Sequence, residues 1–144
     1  MKVSIVIPTY NAQDFIDDCL YSVVHQENCE FEVIIIDGGS TDKTLSLVKK
    51  YSNYIDIVIS EPDKGIADAL NKGFSLASGD VFCWLNSDDI YLTPYALESA
   101  IAKLAISQAE LAYGHSCSLD ESGQILRCTY TWRATKRQQQ IGAN

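Results

Sequence analysis

The sequence predicts an α/β fold with a mostly parallel sheet, on three observations. Short apolar runs rich in β-branched residues recur along the first 85 residues, and stretches with helical periodicity separate them. This alternation is typical of parallel strands joined by crossover helices. The run at residues 33–36 is apolar without interruption, as expected for a strand covered on both faces. Finally, a polar segment follows each run, where the chain turns towards the next helix.

The spacing of apolar residues places the individual elements. Strands are predicted at residues 3–7, 33–36, 55–59, 81–85, 110–113, 116–119 and 124–131. Helices are predicted at residues 12–24, around 45–51, at 66–76 and at 94–107. Pro8 is the expected end of the first strand, and Asn11 is the expected N-cap of the first helix. Residues 120–123 have the composition of a hairpin turn between the last two strands.

The acidic composition restricts the classes of partner. The chain has 144 residues, enough for one domain with a core, and 19 acidic against 11 basic residues give a net charge of −8. A protein of this charge is not expected to bind nucleic acid or an anionic membrane through bulk electrostatics. An anionic ligand therefore requires a local device, either a metal ion or a helix N-terminus.

The cysteines and the apolar segments indicate the cellular compartment in which the protein is expected. The cysteine count is five, which is odd, and no C-x-x-C spacing occurs. All five are therefore expected to be reduced thiols of a cytosolic protein, rather than a disulfide framework or a zinc site. The apolar stretch at the start is too short for a signal peptide, and no segment suits a transmembrane helix.

Polar clusters follow each of the first four predicted strands. In parallel sheets the carboxyl ends of the strands meet at one edge, where α/β proteins bind their ligands. Each cluster also has a structural explanation, since Asp37 suits a turn, Ser40 a helix cap and Asp68 a solvated helix face. The convergence of all the clusters on one edge favours a ligand site. The clusters lie at residues 8–11, 37–40, 63–68 and 86–89.

The segment at residues 86–89, Asn-Ser-Asp-Asp, is the hardest of these to explain structurally. One carboxylate could cap the helix near Pro94, but a cap does not require two acids after a buried strand. Adjacent carboxylates repel each other and are costly to bury. A divalent cation offsets that cost, because Mg²⁺ and Mn²⁺ bind carboxylate oxygens together with substrate phosphates. The segment therefore indicates a cation site for a diphosphate ligand.

Four segments in order resemble the nucleotide-binding half of family 2 glycosyltransferases. They are VSIVIPTYNA, VIIIDGGSTDKT, EPDKGIADALNKG and ASGDVFCWLNSDD, and the resemblance spans about residues 2–131. It implies a GT-A fold, a Rossmann-like three-layer α/β/α sandwich with a mostly parallel sheet and a C-terminal β-hairpin. It also implies metal-dependent transfer of a sugar, with inversion, from a nucleotide-diphospho-sugar such as a UDP-sugar to an acceptor hydroxyl.

The resemblance also implies roles for individual residues. Asp37 is expected to accept a hydrogen bond from the base, and Asn86 is expected to lie near the ribose. Asp88 and Asp89 are the candidate ligands of Mg²⁺ or Mn²⁺. The candidate nucleotide-binding residues are Pro8, Thr9, Tyr10, Asn11, Asp37, Gly39, Ser40, Asp68, Asn86 and Ser87.

The chain departs from the family pattern at several positions. Asn86 stands where the family's acid-x-acid motif begins, so cation binding depends on the two acids that follow Ser87. Leu70 stands where many members carry Arg. The third segment resembles a branch associated with cell-surface polysaccharide synthesis, although Ala67 stands where that branch often has an aromatic residue.

No general base is found among the matching residues. An inverting transferase needs one to deprotonate the acceptor hydroxyl, and in the family it follows the final hairpin, so it is expected beyond Asn144. Asp120 and Glu121, in the predicted turn, are the alternatives within the chain. Residues 1–131 are therefore expected to form the nucleotide-sugar-binding domain, and residues 132–144 a polar tail that ends before the acceptor-binding part.

Two other functions stay open at this point. One is a non-catalytic nucleotide-sugar-binding fragment or subunit without its own base. The other is a nucleotidyltransferase, against which the lack of a glycine-rich basic signature in the first loop argues. The expected partners are a nucleotide-sugar donor and a saccharide or lipid-linked saccharide acceptor, with no nucleic acid. The expected location is cytoplasmic, with peripheral attachment to the inner face of the membrane and homo-oligomerisation as further expectations to test.

Overall fold

The computed structural model describes residues 1–107, 109–120 and 122–130. The chain divides into two compact units, Met1–Ser99 and Ala100–Asn144. The predicted tail at residues 132–144 lies outside the described residues, so the domain boundary after residue 131 stays a prediction. Within the described part of the chain, no helix combines the length and hydropathy needed to cross a membrane.

The order of strands and helices agrees with the prediction as far as residue 107. The strands of the first unit are β1 (Lys2–Thr9), β2 (Glu30–Asp37), β3 (Ile57–Ser60) and β4 (Val81–Trp84). The helices are α1 (Ile16–Val24), α2 (Thr44–Val48), which continues into the 3₁₀ turn Lys49–Tyr51, α3 (Ile66–Leu76) and α4 (Ala96–Ser107). The second unit contains β5 (Ser116–Leu119) and β6 (Ile125–Thr129).

The first unit is built on one parallel sheet. Its strand order is β3-β2-β1-β4, and every pair is parallel. The chain moves across the sheet in one direction from β1 to β3 and then returns to pair β4 with β1. Right-handed crossovers therefore place α1 and α2 on one face and α3 on the other. This is the three-layer α/β/α arrangement that the sequence predicts.

The core on the α3 face depends on one close approach. Val6, Ile34 and Ile36 are fully buried there and pack with Ala69 of α3. A Cβ atom on Gly73 would lie only 2.3 Å from Val6 Cγ1, so no residue with a side chain fits at that position without displacing the helix. Gly73 therefore sets the distance between α3 and the sheet.

The start of α1 differs from the prediction. The helix begins at Ile16 rather than at residue 12, and Asn11 is not its N-cap. Asn11 has a φ of 47°, in the left-handed region that asparagine tolerates better than most residues. The reason lies in the neighbouring loop, where the N–H groups of Asn11 and Ala12 donate to Ser40 Oγ and Thr44 Oγ1, each at 2.8 Å. These bonds hold Asn11 and Ala12 outside the helix, and a turn at residues 13–15 leads into it.

Other boundaries also differ from the prediction. Pro8 does not end β1, which continues one residue further. The ladder between β1 and β4 stops at Val6, so Pro8 has a strand on one side only and its missing N–H costs nothing there. β3 begins at Ile57 rather than residue 55, and α4 begins at Ala96 rather than residue 94. Residues 110–113 form no strand, and β5 and β6 pair with each other instead.

The second unit contains the predicted antiparallel hairpin and one unpredicted bond. Cys117 and Cys128 lie directly opposite each other in the β5–β6 register and form a disulfide. The prediction of five reduced thiols is therefore wrong for this pair. It rested on the cysteine count and on the lack of a C-x-x-C motif, and neither shows which cysteines face each other across a hairpin. Asp120 closes that turn by accepting hydrogen bonds from Ser122 N at 2.8 Å and Gln124 N at 2.9 Å, and bonds from these two residues lower its pKa.

A buried carboxylate network fastens the amino edge of the sheet. Glu32, on β2, is 5% exposed and accepts hydrogen bonds from Lys2 Nζ at 2.7 Å, Ser4 Oγ at 2.5 Å and Ser78 N at 2.6 Å. Burial alone opposes ionisation, but these bonds outweigh it and lower the pKa of Glu32 to about 2. The network therefore joins β1, β2 and the segment before β4 through one charged group.

We expect Glu32→Gln to lower the free energy of unfolding at pH 7 by about 1–3 kcal/mol, because a charged acceptor of several bonds is lost. In the wild-type chain, the folded pKa of about 2 lies below the ordinary value of 4.5, so stability should fall as the pH drops from about 5 towards 2. Urea unfolding at several pH values measures both effects. The variant should lose part of this acid sensitivity, whereas Glu30→Gln, an exposed change on the same strand, should retain it. Equal pH dependence in all three proteins would contradict the prediction.

Candidate functional site

The direction of the chain across the sheet reverses next to β1, which defines a crevice. β1 has β2 on one side and β4 on the other, and ligands of open α/β sheets bind beyond the carboxyl ends at such a point. Thr9 ends β1, and Asn86 follows β4 by two residues. Thr9 Oγ1 and Asn86 Oδ1 are buried and have no hydrogen-bond partner among the described residues. Buried polar atoms are normally paired, so both atoms have hydrogen-bonding capacity that the described residues leave unused.

The loops after β1 and β2 are bonded into one wall of this crevice. Asn11 N donates to Ser40 Oγ at 2.8 Å, and Thr41 N donates to Asn11 Oδ1 at 2.9 Å. Gly38 N donates to the Thr9 carbonyl oxygen at 2.9 Å. The structure thus brings together three of the predicted site residues, Thr9, Asn11 and Ser40, through bonds between their own loops.

A second layer of bonds supports this wall. Gln13 N donates to Asp42 Oδ2 at 3.2 Å, and Thr44 N donates to Asp42 Oδ1 at 2.9 Å. Burial disfavours the charged form of Asp42, yet the bonds from Thr44 and Gln13 prevail and lower its pKa. Sequence reasoning missed both Asp42 and Thr44. The signal was the polar run Ser-Thr-Asp-Lys-Thr, which is longer than one helix cap requires.

Asp37 lies beneath the wall and is fully buried. Its Oδ2 accepts hydrogen bonds from Gly39 N at 3.2 Å, Ser40 N at 3.0 Å and Ser60 Oγ at 2.6 Å. Its Oδ1 accepts the hydroxyl of Ser40. Both oxygens are thus engaged by the chain, and they hold Gly39 at a φ of 88°, which favours glycine. A contact between Asp37 and a base, as predicted, is not tested by this arrangement.

The tip after β4 presents two carboxylates on a bonded turn. Asn86 Nδ2 donates to Asp89 Oδ2 at 3.0 Å, and Asp89 N donates to the Asn86 carbonyl oxygen at 3.0 Å. Asp88 and Asp89 are exposed, whereas Asn86 and Ser87 are half-buried. Cys19 of α1 supports the turn from below, with its thiol 3.5 Å from the Asn86 carbonyl oxygen. Burial, followed by the charges of Asp89 and Asp88, raises the pKa of Cys19 to about 12, so the thiol stays protonated and can donate.

The residues of the tip fit a hard divalent cation. Two exposed carboxylates and the unpaired Asn86 Oδ1 are all oxygen ligands, the type that Mg²⁺ and Mn²⁺ prefer. Within the described parts of the chain, no group of three or more His, Cys, Asp or Glu residues could hold a metal alone. The tip therefore suits a cation whose coordination is completed by water and by phosphate oxygens of a ligand, rather than a closed protein cage.

The remaining candidates lie at the same edge with different exposure. Pro8 is buried within β1, whereas Tyr10 is 64% exposed beyond it. Asp68, in the first turn of α3, accepts a hydrogen bond from Lys64 N at 3.2 Å and so holds the loop before the helix. This bond gives half-buried Asp68 a structural role that differs from the solvated helix face suggested by the sequence, and its role in nucleotide binding stays a prediction.

Comparison with known proteins identifies the family. The sequence profile described as glycosyl transferase family 2 matches residues 4–132, which is most of the chain. The chain belongs to glycosyl transferase family 2. Two known proteins illustrate the similarity. The chain is 34% identical over 139 residues to a chondroitin synthase of Pasteurella multocida. It is 33% identical over 115 residues to a PGL/p-HBAD biosynthesis glycosyltransferase of Mycobacterium bovis.

The matched regions cover most of the family 2 chain but only part of these relatives. They include 94% of the chain and 14% of the chondroitin synthase, and 77% of the chain and 45% of the mycobacterial protein. The activities of the whole relatives are therefore not transferred directly. What the matches do establish is that the family 2 chain is a glycosyltransferase sequence.

Solved structures agree on the fold. TarS of S. aureus (residues 1–349) in complex with UDP-GlcNAc matches with a TM-score of 0.68 and 32% identity, over 75% of the chain and 32% of TarS. The mannosyltransferase PcManGT of Pyrobaculum calidifontis, in complex with GDP-Man and Mn²⁺, matches with a TM-score of 0.67 and 26% identity, over 82% of the chain and 35% of that protein. The predicted GT-A fold of the family 2 chain is thereby confirmed.

Proposed function

We propose that the chain binds a UDP-sugar through a divalent cation, as the donor half of an inverting glycosyltransferase. The observation that carries this proposal is the pair of unpartnered buried oxygen atoms at the carboxyl edge, Thr9 Oγ1 at the end of β1 and Asn86 Oδ1 two residues after β4. The exposed carboxylates of Asp88 and Asp89 follow directly after. Similar structures in complex with UDP-GlcNAc, and with GDP-Man and Mn²⁺, support a nucleotide-sugar and a cation as the ligands.

The chain's own groups divide the work of binding. The wall formed by the loops after β1 and β2 is held by its own hydrogen bonds, so it needs little ordering when the nucleotide arrives. Thr9 Oγ1 can donate to a ligand oxygen, whereas Asn86 Oδ1 accepts from a ribose hydroxyl or binds the cation. Asp88 and Asp89 hold the cation at the tip. When bound, the cation offsets the charge of the diphosphate and stabilises it as a leaving group.

A second candidate function is donor binding without turnover. The carboxylates at the carboxyl edge all have binding or structural roles in this account, and the general base stays unassigned. Asp120 is committed to its own turn, since its Oδ1 also accepts the Ser122 hydroxyl at 2.7 Å. This commitment favours a chain that binds the donor and obtains its base from elsewhere over one that uses Asp120.

We expect UDP to bind the chain in Mn²⁺, and the affinity to fall at least about tenfold when EDTA removes the ion. The reason is that the chain is acidic, with a net charge of −8, and an anionic ligand needs the cation as a bridge. Titration calorimetry with UDP in each buffer measures the effect, and uridine serves as a control without a diphosphate. Equal affinity for UDP with and without the ion would contradict the metal-dependent proposal.

Assays of turnover separate the two candidate functions. With a UDP-sugar and Mn²⁺, release of UDP or transfer of sugar by the 144-residue chain would reject binding without turnover. Tight donor binding with no release of UDP over hours would favour it. A product whose anomeric carbon has the same configuration as in the donor sugar would contradict the proposed inversion.

The wider role is also part of the proposal. Chondroitin and hyaluronan synthases of Pasteurella multocida, each 34% identical, support a role in polysaccharide biosynthesis with a saccharide or lipid-linked saccharide acceptor. A cytoplasmic location, at the inner face of a membrane, would suit such a donor and acceptor, whereas the Cys117–Cys128 disulfide is of a kind that is rare in cytosolic proteins. Fractionation of cells that produce the chain tests this location.

A further inference from the structure

Helix α1 and the residues just after it hold the loop that carries the acidic tip. Cys19 and Ser22 lie three residues apart on one face of α1, and the buried Gln26 follows the end of the helix by two residues. Each of these three side chains bonds to the chain that follows β4. The bonded points, in the same order, are Asn86 for the first, Tyr91 for the second, and Thr93 and Leu97 for the third. The loop is therefore fastened to this part of the chain along its length.

The two acids of the tip lie between the first two bonded points. Before them, the Asn86 carbonyl oxygen accepts a hydrogen bond from the Cys19 thiol at 3.5 Å. After them, Tyr91 N donates to Ser22 Oγ at 3.1 Å. We call residues 86–91 the tip arc. Its two ends are attached to the same helix, while the acids between them are exposed.

The far end of the tip arc has a second attachment. The Tyr91 hydroxyl lies 3.2 Å from Cys83 Sγ, and Cys83 belongs to β4. The side chain of Tyr91 is thus fixed to the strand, whereas its backbone N–H is fixed to α1 through Ser22. The place where the arc ends is therefore set by a strand and a helix of the core unit, and not by the loop alone.

Ser22 differs from other helical serines in what its hydroxyl accepts. Its Oγ donates to the Cys19 carbonyl oxygen at 2.8 Å, three residues earlier in the helix. Ser46 and Ser75 make the same kind of bond in their own helices, each at 2.7 Å. Among the described residues, only Ser22 of these three also accepts a backbone N–H from a loop. The bond within the helix fixes the direction of the hydroxyl, so Ser22 Oγ is an oriented acceptor for the arc.

Attachment at both ends matters because the two acids repel each other. Asp88 is exposed and accepts no hydrogen bond from the described residues, so the backbone of the arc sets where its carboxylate lies. Adjacent like charges would tend to open a free loop, and closing it again would take up part of the free energy of cation binding. Mg²⁺ in particular requires ligands close to octahedral geometry. An arc that is already fixed avoids most of this loss.

We propose that Ser22 and Tyr91 are positioning residues for the cation, which hold the tip arc in the shape that binds it. This inference rests on the proposed function, because it needs a cation at the tip. In the part of the chain that the structure describes, none of their hydrogen bonds is to Asp88 or Asp89, so they act through the backbone. Loss of either attachment frees one end of the arc. The cation should then bind more weakly, while UDP without the cation should bind as before.

The test measures the affinity for UDP by calorimetry over a series of Mn²⁺ concentrations. Its readout is the midpoint, which is the Mn²⁺ concentration that gives half of the gain in affinity. For Ser22→Ala, we expect the midpoint to rise about tenfold or more, the usual effect of losing a group that orients a metal ligand. The affinity for UDP in EDTA should not change. Ser22→Thr retains a hydroxyl and should restore most of the wild-type midpoint.

Two further variants complete the test. Tyr91→Phe retains the ring and the N–H but loses the contact with Cys83, so its midpoint should rise at least about threefold. It also tests the inference if Ser22→Ala does not fold. Ser75→Ala removes the same hydroxyl and the same kind of helical bond from an exposed position, and it should leave the midpoint unchanged.

The outcomes are distinct. An unchanged midpoint in folded Ser22→Ala or in Tyr91→Phe, even with a lower unfolding temperature, would mean that the attachment is purely structural and would overturn the inference. An equal loss of UDP affinity with and without the ion would overturn it as well. If the wild-type chain binds UDP no better in Mn²⁺ than in EDTA, the proposed function itself fails, which is a different result from a midpoint that the variants do not move.

Discussion

The Asp88→Ala chain should bind UDP in Mn²⁺ at least about tenfold more weakly than the wild type, the loss expected when the ion itself is removed, because it loses a charged ligand of the cation. Without the ion, the two proteins should bind UDP equally weakly. The Asp88 carboxylate is exposed and accepts no hydrogen bond from the described residues, so its removal should leave the unfolding temperature almost unchanged. Calorimetric titration and thermal unfolding together separate a lost ligand from a lost fold.

The matched control for Asp88→Ala is Glu30→Ala. Glu30 is exposed at the amino end of β2, and β2 is 8 residues long, so this residue lies far from the carboxyl edge. The two substitutions change the net charge equally, and only the first should abolish the effect of Mn²⁺. Retention of the full Mn²⁺ effect in Asp88→Ala would move the cation site away from the acidic tip and remove the basis of the proposed function.

A large loss of stability should come from Gly73→Ala. The new methyl group would lie 2.3 Å from Val6 Cγ1 and 3.3 Å from Ile36 Cγ1, both in the fully buried core. Alanine favours a helix over glycine by about 1 kcal/mol, but overpacking of a core costs about 1–3 kcal/mol or more. Because this contact is so short, we expect a net loss near 2 kcal/mol, or roughly 5–10 °C in the unfolding temperature.

Two further variants show whether the clash with Val6 is the cause. Ser75→Ala adds helix propensity at an exposed position of the same helix and should not destabilise the chain. Val6→Ala combined with Gly73→Ala should cost less than the sum of the two single changes, because the clashing methyl groups are gone. A Gly73→Ala chain as stable as the wild type would mean that α3 can shift away from β1 at no cost.

The carboxyl edge could be predicted from the sequence because it depends on strand order and chain direction alone. Runs such as residues 33–36 mark strands, and whatever follows them must lie at one edge of a parallel sheet. Thr9 and Asn86, from two of the predicted polar clusters, lie there at the end of β1 and two residues after β4. The metal ligands and nucleotide contacts assigned to this edge stay predictions, because they concern ligands rather than the fold.

The details that could not be predicted depend on contacts between loops. Asn11 looks like a helix cap in sequence, yet its N–H binds Ser40 and its side chain binds Thr41, which no local pattern reveals. The Cys117–Cys128 disulfide follows from the exact register of a hairpin.

The bonds between the loops after β1 and β2 have a consequence for redesign. Asn11 and Ser40 each complete the other's turn, and Thr44 Oγ1 holds Ala12 N at 2.8 Å. A chimaera that imports one of these loops from a relative with different specificity would leave amide groups of the other without acceptors. Exchange of the two segments together should therefore preserve these hydrogen bonds, whereas exchange of either segment alone should lose them.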